Sequence, residues 1–264
     1  MLLALGCSGA PALQAQENKQ PPPTPASTEK AEGIIKRGIE ALGGSAYLGV
    51  QNVVGRGFYT AFQDGMSQLP TRFLDYIVFP DKERTEFTTS GVRVVQTNAG
   101  ATGWIYDGAT KSLNDQKPAQ IEDFKRSMRT SIENVLRGWW RREGATLSYV
   151  GRREAGLAKR NETVRVTYPD GFWVEYEFGA KDGLPAKVIY KGSRTVGDSD
   201  ETEETTEEDR LAKPVTIAGV TATFVVDHFI NGKQTSRINY ESIEFNRPLA
   251  DSLFAKPENA KAVK

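Results

Sequence analysis

The 264-residue sequence contains a single cysteine, Cys7, and a single histidine, His228. Because a disulfide needs two thiols, the chain has no internal disulfide. One imidazole without further cysteines cannot assemble a typical zinc site, which takes several Cys, His or carboxylate ligands. The sequence therefore predicts neither a disulfide-bonded scaffold nor a metal centre, and it suggests no cofactor.

An excess of charge and long apolar runs are also missing. Lys and Arg together number 34, as do Asp and Glu, so no overall positive field attracts nucleic acid. Beyond the first residues, no stretch approaches the roughly 18 consecutive apolar residues of a membrane-spanning helix. We expect no nucleic-acid partner, and membrane contact only at the surface or through a lipid tether.

Recognisable catalytic motifs are absent as well. No Gly-x-Ser-x-Gly element accompanies His228, which shares an apolar strand face with Phe224 and Val226 and is interpreted as a core or rim histidine. Glu175 and Glu177 could suggest the carboxylate pair of a glycosidase, but alternation with apolar residues is typical of any half-exposed strand. The sequence does not predict an enzyme.

The first residues predict export. Residues 1–16 combine an apolar start, small residues and a polar end, as in a secretory signal. The segment ALGC at residues 4–7 resembles a lipobox that would place a lipid anchor on Cys7; alternatively, LQA at residues 13–15 is a signal-peptidase site, or the segment is an apolar tail. Residues 17–27 form a proline-rich linker. We expect one domain over residues 28–264, in the periplasm or at the outer membrane.

Hydrophobic periodicity predicts the fold class. Apolar residues recur at helical spacing in residues 28–42 and again in residues 118–140, which predicts two amphipathic helices. The remaining runs of Val, Phe, Tyr, Thr and Ile, separated by turn residues, predict roughly ten or eleven antiparallel strands. A sheet of that size must curl. The predicted fold is therefore mainly β, an α+β arrangement in which the sheet forms an incomplete barrel around the two helices.

Three local features are predicted in the second half of the chain. Alternation on both sides of the turn at residues 169–171 indicates a β-hairpin. The apolar parity changes between Tyr240 and Ile243, which predicts a bulge near Glu241 and Ser242. The acidic stretch at residues 198–209 is interpreted as a solvated loop because of its charge.

Large apolar side chains are concentrated around the mid-chain helix. A curled sheet that is closed by helices rather than by its own edges tends to leave an apolar cavity, and such cavities hold hydrophobic ligands. The alternative is that these side chains only fill a core. Six residues are predicted to line the cavity and bind the ligand: Trp104, Tyr106, Phe124, Met128, Trp139 and Phe172.

The order of several short stretches resembles the LolA/LolB-like superfamily of periplasmic lipoprotein carriers and outer-membrane lipoprotein-sorting proteins. These stretches are IIKRGIEALGG (residues 34–44), FPDKERTEF (79–87), NAGATGWIYDGAT (98–110) and ESIEFNRPLADSLFAKP (241–257). The resemblance implies an incomplete barrel with a helical lid over a hydrophobic cavity, and binding of acyl chains, lipid or lipoproteins. In the lipoprotein carrier itself, a strand arginine holds the lid shut. No residue of this sequence is assigned as its counterpart. An envelope protein-binding or sensing module without a lipid ligand is the alternative function.

Overall fold

The computed structural model describes residues 23–195 and 202–263. The predicted signal segment, Cys7 and most of the proline-rich linker lie outside the described residues. So do the first four positions of the acidic stretch, residues 198–201.

Four α-helices and fourteen strands are present in the described part of the chain. The helices are α1 (Pro25–Ala41), α2 (Ser45–Leu48), α3 (Pro118–Thr130) and α4 (Ile132–Arg137), with short 3₁₀ helices at Trp139–Glu143, Asp251–Leu253 and Ala260–Ala262. The strands are β1 (Asn52–Gln63), β2 (Met66–Ser67), β3 (Thr71–Val78), β4 (Lys82–Thr89), β5 (Val92–Ala99), β6 (Thr102–Asp107), β7 (Ser112–Asp115), β8 (Thr146–Glu154), β9 (Arg160–Thr167), β10 (Trp173–Gly179), β11 (Pro185–Thr195), β12 (Thr202–Ile217), β13 (Val220–Ile230) and β14 (Lys233–Phe245).

All strands belong to one antiparallel sheet. Its order is β7-β6-β5-β4-β3-β1-β14-β13-β12-β11-β10-β9-β8, with β2 paired to β1. Because β7 and β8 do not pair with each other, the curled sheet is an incomplete barrel, and the predicted fold class is confirmed. The strand number exceeds the predicted ten or eleven, since β2, β7, β8 and β12 were not anticipated.

The helices cover one side of this sheet. The longest, α1, packs mainly on β8 and β9, and α3 approaches β11. We call the covered side the helix face and the opposite side the outer face. The core between helices and sheet includes Ile34, Ile35, Leu136, Leu147, Val164, Tyr176 and Phe178. None of the helices described here is long and apolar enough to cross a membrane.

Helix α1 begins at Pro25, three residues before the predicted start of the domain, so the linker prediction extends too far. The hydroxyl of Thr24 accepts a hydrogen bond from the backbone amide of Ser27, and proline suits the first helical position, where no amide is needed. Ala31 and Ile34 form its buried stripe, as predicted.

The predicted single helix over residues 118–140 is wrong in its continuity. The backbone of Ser131 is extended, which ends α3, and its hydroxyl accepts from the amide of Asn134 to begin α4. Gly138 then adopts a left-handed conformation, with φ of 72°, and ends α4. Apolar periodicity continues across both breaks, which is why the sequence pattern resembles that of one helix.

The predicted acidic loop is also wrong where the structure describes it, because Thr202–Ile217 is strand β12. Basic neighbours on β11 offset the charge: Lys191 lies 2.8 Å from Glu204, and Lys187 lies 3.2 Å from Glu208. These cross-strand ion pairs let carboxylates occupy a strand that local propensity disfavours.

The predicted hairpin is confirmed by β9 and β10, but its two glutamates are buried rather than half-exposed. Glu175 and Glu177 are each 2% exposed on the outer face. Arg153 lies 2.6 Å from Glu175 and 3.2 Å from Glu177, and Arg165 also pairs with Glu175. Arginine side chains cover the carboxylates, since their long apolar stems can lie along the sheet.

The predicted bulge is confirmed where β1 pairs with β14. Arg56 lies opposite Ser242 and Gly57 opposite Tyr240, so Glu241 is the extra residue. A Cβ at Gly57 would touch the backbone carbonyl of Asn239 and lie 2.8 Å from the Cα of Tyr240. Only glycine fits there without moving backbone.

Replacing Gly57 with alanine should therefore destabilise the fold. We expect the free energy of unfolding to fall by about 2–3 kcal/mol, as in overpacked interiors, measured by urea denaturation. Gly33→Ala is the matched control because no atom lies within 4 Å of the position that its new methyl group would take. It should raise stability by about 0.5–1 kcal/mol through helix propensity. Equal effects of the two substitutions would contradict this account of the bulge.

Candidate functional site

Aromatic side chains line the helix face on the strands around the β1–β14 junction. We call this set the aromatic wall, and it consists of Tyr59, Phe73, Phe87, Phe224 and Tyr240. Register places these residues on one side, since Gly57 lies opposite both Tyr240 and Phe73, and Phe73 lies opposite Phe87. Tyr59, Phe87 and Tyr240 are half-buried. The wall therefore offers partly accessible apolar surface on the helix face of an unclosed sheet.

The rings of the wall contact one another edge to face. Their centroids are 5.4 Å apart for Phe73 and Tyr240, 6.1 Å for Tyr59 and Phe87, and 6.4 Å for Phe224 and Tyr240. Such pairs stabilise by about 0.5–1.5 kcal/mol beyond area burial. A Cβ at Gly55 would come within 2.6 Å of the Tyr240 ring. The glycine thus lets that ring lie flat against β1.

Two carboxyl groups lie beside the wall. Asp75 is buried, and its Oδ1 accepts a hydrogen bond of 2.9 Å from the hydroxyl of Thr85. Burial, and then the charge of Glu83, raise the pKa of Asp75 well above its usual value, and burial also raises the pKa of Glu83. Since burial disfavours the ionised form, this environment shifts the wall towards a neutral surface.

A second polar cluster occupies the helix face on β12 and β13. His228 Nδ1 lies 2.7 Å from Asp209 Oδ1, and its Nε2 lies 3.7 Å from Glu207. Burial would lower the pKa of His228, but the hydrogen bond and charge of Asp209, with the charge of Glu207, raise it. His228 is thus a partly buried, hydrogen-bonded histidine, in agreement with its interpretation as a core or rim residue, and both of its partners lie in the stretch that was interpreted as a loop.

This cluster is an acid–base pair without a placed nucleophile. Ser236 lies opposite His228 in the sheet, yet no hydrogen bond joins its hydroxyl to the imidazole among the described residues. Asp227, the neighbour of His228 in sequence, points to the outer face and pairs with Arg237 at 2.6 Å. No group of three or more potential metal ligands was found in the described residues.

The six predicted ligand-binding residues do not form one group. Trp104 and Tyr106 lie on the outer face. Residues that pair across neighbouring strands lie on the same face, so Trp104 shares the face of Thr97, and the pairing of β5 with β4 places Thr97 on the face opposite the aromatic wall. Trp104 is 3% exposed, and its indole N–H donates to the carbonyl of Phe254 at 3.0 Å. The segment after β14 thus covers Trp104, away from the helices.

Three of the other four lie on or next to the helices. Phe124 is buried and Met128 half-buried on α3. Trp139 follows α4 and packs against Phe79, with ring centroids 5.7 Å apart. Phe172 is in the turn between β9 and β10 and contacts Tyr168 at 5.9 Å. A role for any of the six in ligand binding stays a prediction. The sequence patterns did not predict the aromatic wall, although the alternation of apolar and polar residues in its strands is visible in the sequence.

Comparison with known proteins defines the fold. No protein family model and no curated protein sequence matches the chain. A DUF1329 family protein from Desulfovibrio piger is similar in structure, with a TM-score of 0.58, 12% identity, and coverage of 85% of this chain and 97% of that one. A LolA superfamily protein from Nitrosomonas europaea has a TM-score of 0.54, 13% identity, and coverage of 86% and 97%. The fold is LolA-like. The resemblance of the short stretches is thereby confirmed at the level of LolA-like architecture.

Asp75 should make stability depend on pH. Because its pKa is raised in the folded state, its contribution is fully present below the unfolded value of about 3.9 and is lost as pH rises through the folded value. Asp75→Asn should therefore stabilise the protein at pH 8 and have a smaller effect at pH 4, measured as the free energy of unfolding. The exposed Asp64→Asn is the control. An Asp75→Asn effect that does not change with pH would refute the proposed environment.

Proposed function

We propose that the protein binds acyl chains, as free lipid or as part of a lipoprotein, on the helix face of its LolA-like sheet. The observation that carries this proposal is the aromatic wall, in which the rings of Tyr59, Phe87 and Tyr240 are only half-buried on the helix face of a sheet whose edges do not close. Exposed apolar surface of this kind marks binding sites for ligands or partners. The raised pKa of Asp75 supports an apolar ligand because it favours the uncharged acid.

The energetics of such binding need no charged motif. Each buried methylene contributes roughly 0.8 kcal/mol, so a chain of about sixteen carbons could gain on the order of 10 kcal/mol before the costs of association. The wall supplies the sheet side of the site, and Phe124 and Met128 on α3 would supply the helix side. The proposed site does not include Trp104, which lies on the outer face under the segment around Phe254.

The cellular role that fits this chemistry is carriage of lipid or lipoproteins in the periplasm or at the outer membrane. A carrier must shield acyl chains from water and release them again, and a half-open sheet under helices allows both. This role also fits the predicted export signal and the predicted absence of catalysis.

A pair of substitutions on β4 tests the site. Phe87→Asp places a charge on the wall, whereas Thr88→Asp places it one residue away on the exposed outer face. Burying a phenylalanine contributes about 1.5–3 kcal/mol, so Phe87→Asp should weaken binding of a dansylated fatty acid about tenfold or more. Thr88→Asp should bind like the unmodified protein. Fluorescence titration gives both affinities, and circular dichroism checks the fold.

Equal binding by both variants would exclude the aromatic wall as the site. Native mass spectrometry of protein purified without detergent separates the two functional readings. Lipid released from the protein supports the carrier. A protein free of lipid, even after incubation with vesicles, favours a protein-binding or sensing module.

Anchoring is tested independently of the ligand. If Cys7 carries a lipid, the full-length Cys7→Ser protein should move from the membrane fraction to the soluble fraction when exported in bacteria. Unmodified protein that is already soluble would instead support signal-peptidase cleavage or an unprocessed segment.

A further inference from the structure

A separate cleft lies between the helices and the turn that joins β3 to β4. It is formed by α1, α2, the 3₁₀ helix at Trp139–Glu143 and the turn at Phe79 and Pro80, and its volume is about 740 Å³. Small-molecule sites typically enclose roughly 300–1,000 Å³. We call it the basic cleft, because its lining contains Lys36, Arg137, Arg141 and Arg142 but only one acid, Glu32.

Two of these cations have no counter-ion. No carboxylate lies within 4 Å of Lys36 or Arg142 among the described residues, and both side chains are exposed. Arg141 pairs with Glu32 at 3.3 Å, but both side chains are 54% exposed, so this pair is weak and exchangeable. In a protein whose total charge is zero, this is a local excess of positive charge that an anion could neutralise.

Arg137 holds the cleft in shape. Its guanidinium lies 4.5 Å from the ring centre of Phe79 and 5.0 Å from that of Tyr47. It also bonds to Glu133 at 2.6 Å and donates to the carbonyl of Tyr47 at 3.0 Å. These contacts tie α4 to α2 and to the β3–β4 turn. The walls of the cleft are therefore preorganised, which lowers the cost of binding.

The remaining lining is apolar except for Gln51. Ile35 and Ile39 lie one turn apart on α1, and Leu48, Phe79 and Trp139 face them from the other elements. Leu48 is 43% exposed, so part of this apolar lining is open to solvent. Apolar surface rimmed by unpaired positive charge is complementary to a molecule with an anionic head and a hydrocarbon part.

We infer that the basic cleft binds an anionic amphiphile, specifically an alkyl chain that carries a phosphate monoester. Lys36 and Arg142 would contact the phosphate oxygens, and the isoleucine and tryptophan side chains would contact the first methylenes. Charge-assisted hydrogen bonds to phosphate are strong, and arginine matches its geometry. The cleft would thus bind the anionic head group of an amphiphile, independently of any acyl chain bound at the aromatic wall.

Isothermal titration calorimetry with dodecyl phosphate, below its micelle concentration, tests this inference. The double variant Lys36→Gln, Arg142→Gln should weaken binding about tenfold or more, since each hydrogen bond to a charged group contributes roughly 1.5–3 kcal/mol. The control is Lys181→Gln, Lys233→Gln, which removes two exposed cations that also lack a counter-ion among the described residues and lie outside the cleft. The control should bind normally. Affinity should also fall as sodium chloride is raised.

Three further ligands and variants decide between the sources of binding. Inorganic phosphate should bind much more weakly than dodecyl phosphate, and equal binding would overturn the amphiphile in favour of a plain anion site. Dodecyl maltoside should not compete, and competition would overturn the role of charge. Phe87→Asp should leave the lysine- and arginine-dependent binding unchanged, so failure of the carrier proposal and of this inference can be told apart. Unaltered binding in the Lys36 and Arg142 double variant would refute the site.

Discussion

The antiparallel pairing of β1 with β14 is the constraint on which the rest of the structure depends. It joins a sheet half built from β3–β7 to another built from β8–β13, although the two strands are separated by most of the chain. The bulge at Glu241 shifts the register by one residue, so that apolar side chains on both sides of it face the helices. Because Gly55 and Gly57 have no side chains, Tyr240 can lie against β1 there and contact Phe73. The aromatic wall is a direct product of this junction.

Local patterns predicted the parts of the fold that local forces decide. The β9–β10 hairpin and the bulge could be recognised because each follows from the alternation of neighbouring residues. Strand β12 could not, since its carboxylates become compatible with a sheet only through Lys187 and Lys191 on another strand. The break at Ser131 was missed for a related reason: a serine in an apolar stripe looks the same inside a helix as at a cap.

The candidate site was harder to predict than the fold because alternation shows that a strand has two faces but not which one the helices cover. Trp104 is as apolar as any wall residue, yet long-range register puts it on the outer face, where the segment around Phe254 covers it. The wall residues come from β1, β3, β4, β13 and β14, and no single stretch of sequence contains them. Of the six predicted ligand-binding residues, only Phe124, Met128 and Trp139 lie on or next to the helices and so near a proposed binding site.

The balanced charge of the sequence conceals three different electrostatic environments. On the outer face, Glu175 and Glu177 are buried but neutralised by arginines, which makes their charges structural. On the helix face, Asp75 forms no ion pair with a basic residue in the described part of the chain, so burial favours its protonated form. In the basic cleft, Lys36 and Arg142 have no acid to neutralise them among the described residues. Opposite charges therefore neutralise each other where they support the sheet, but not at the two surfaces that are proposed to bind ligands. An apolar chain suits the aromatic wall and an anionic head suits the basic cleft. Both proposals therefore follow from the way in which charge is distributed over the molecule.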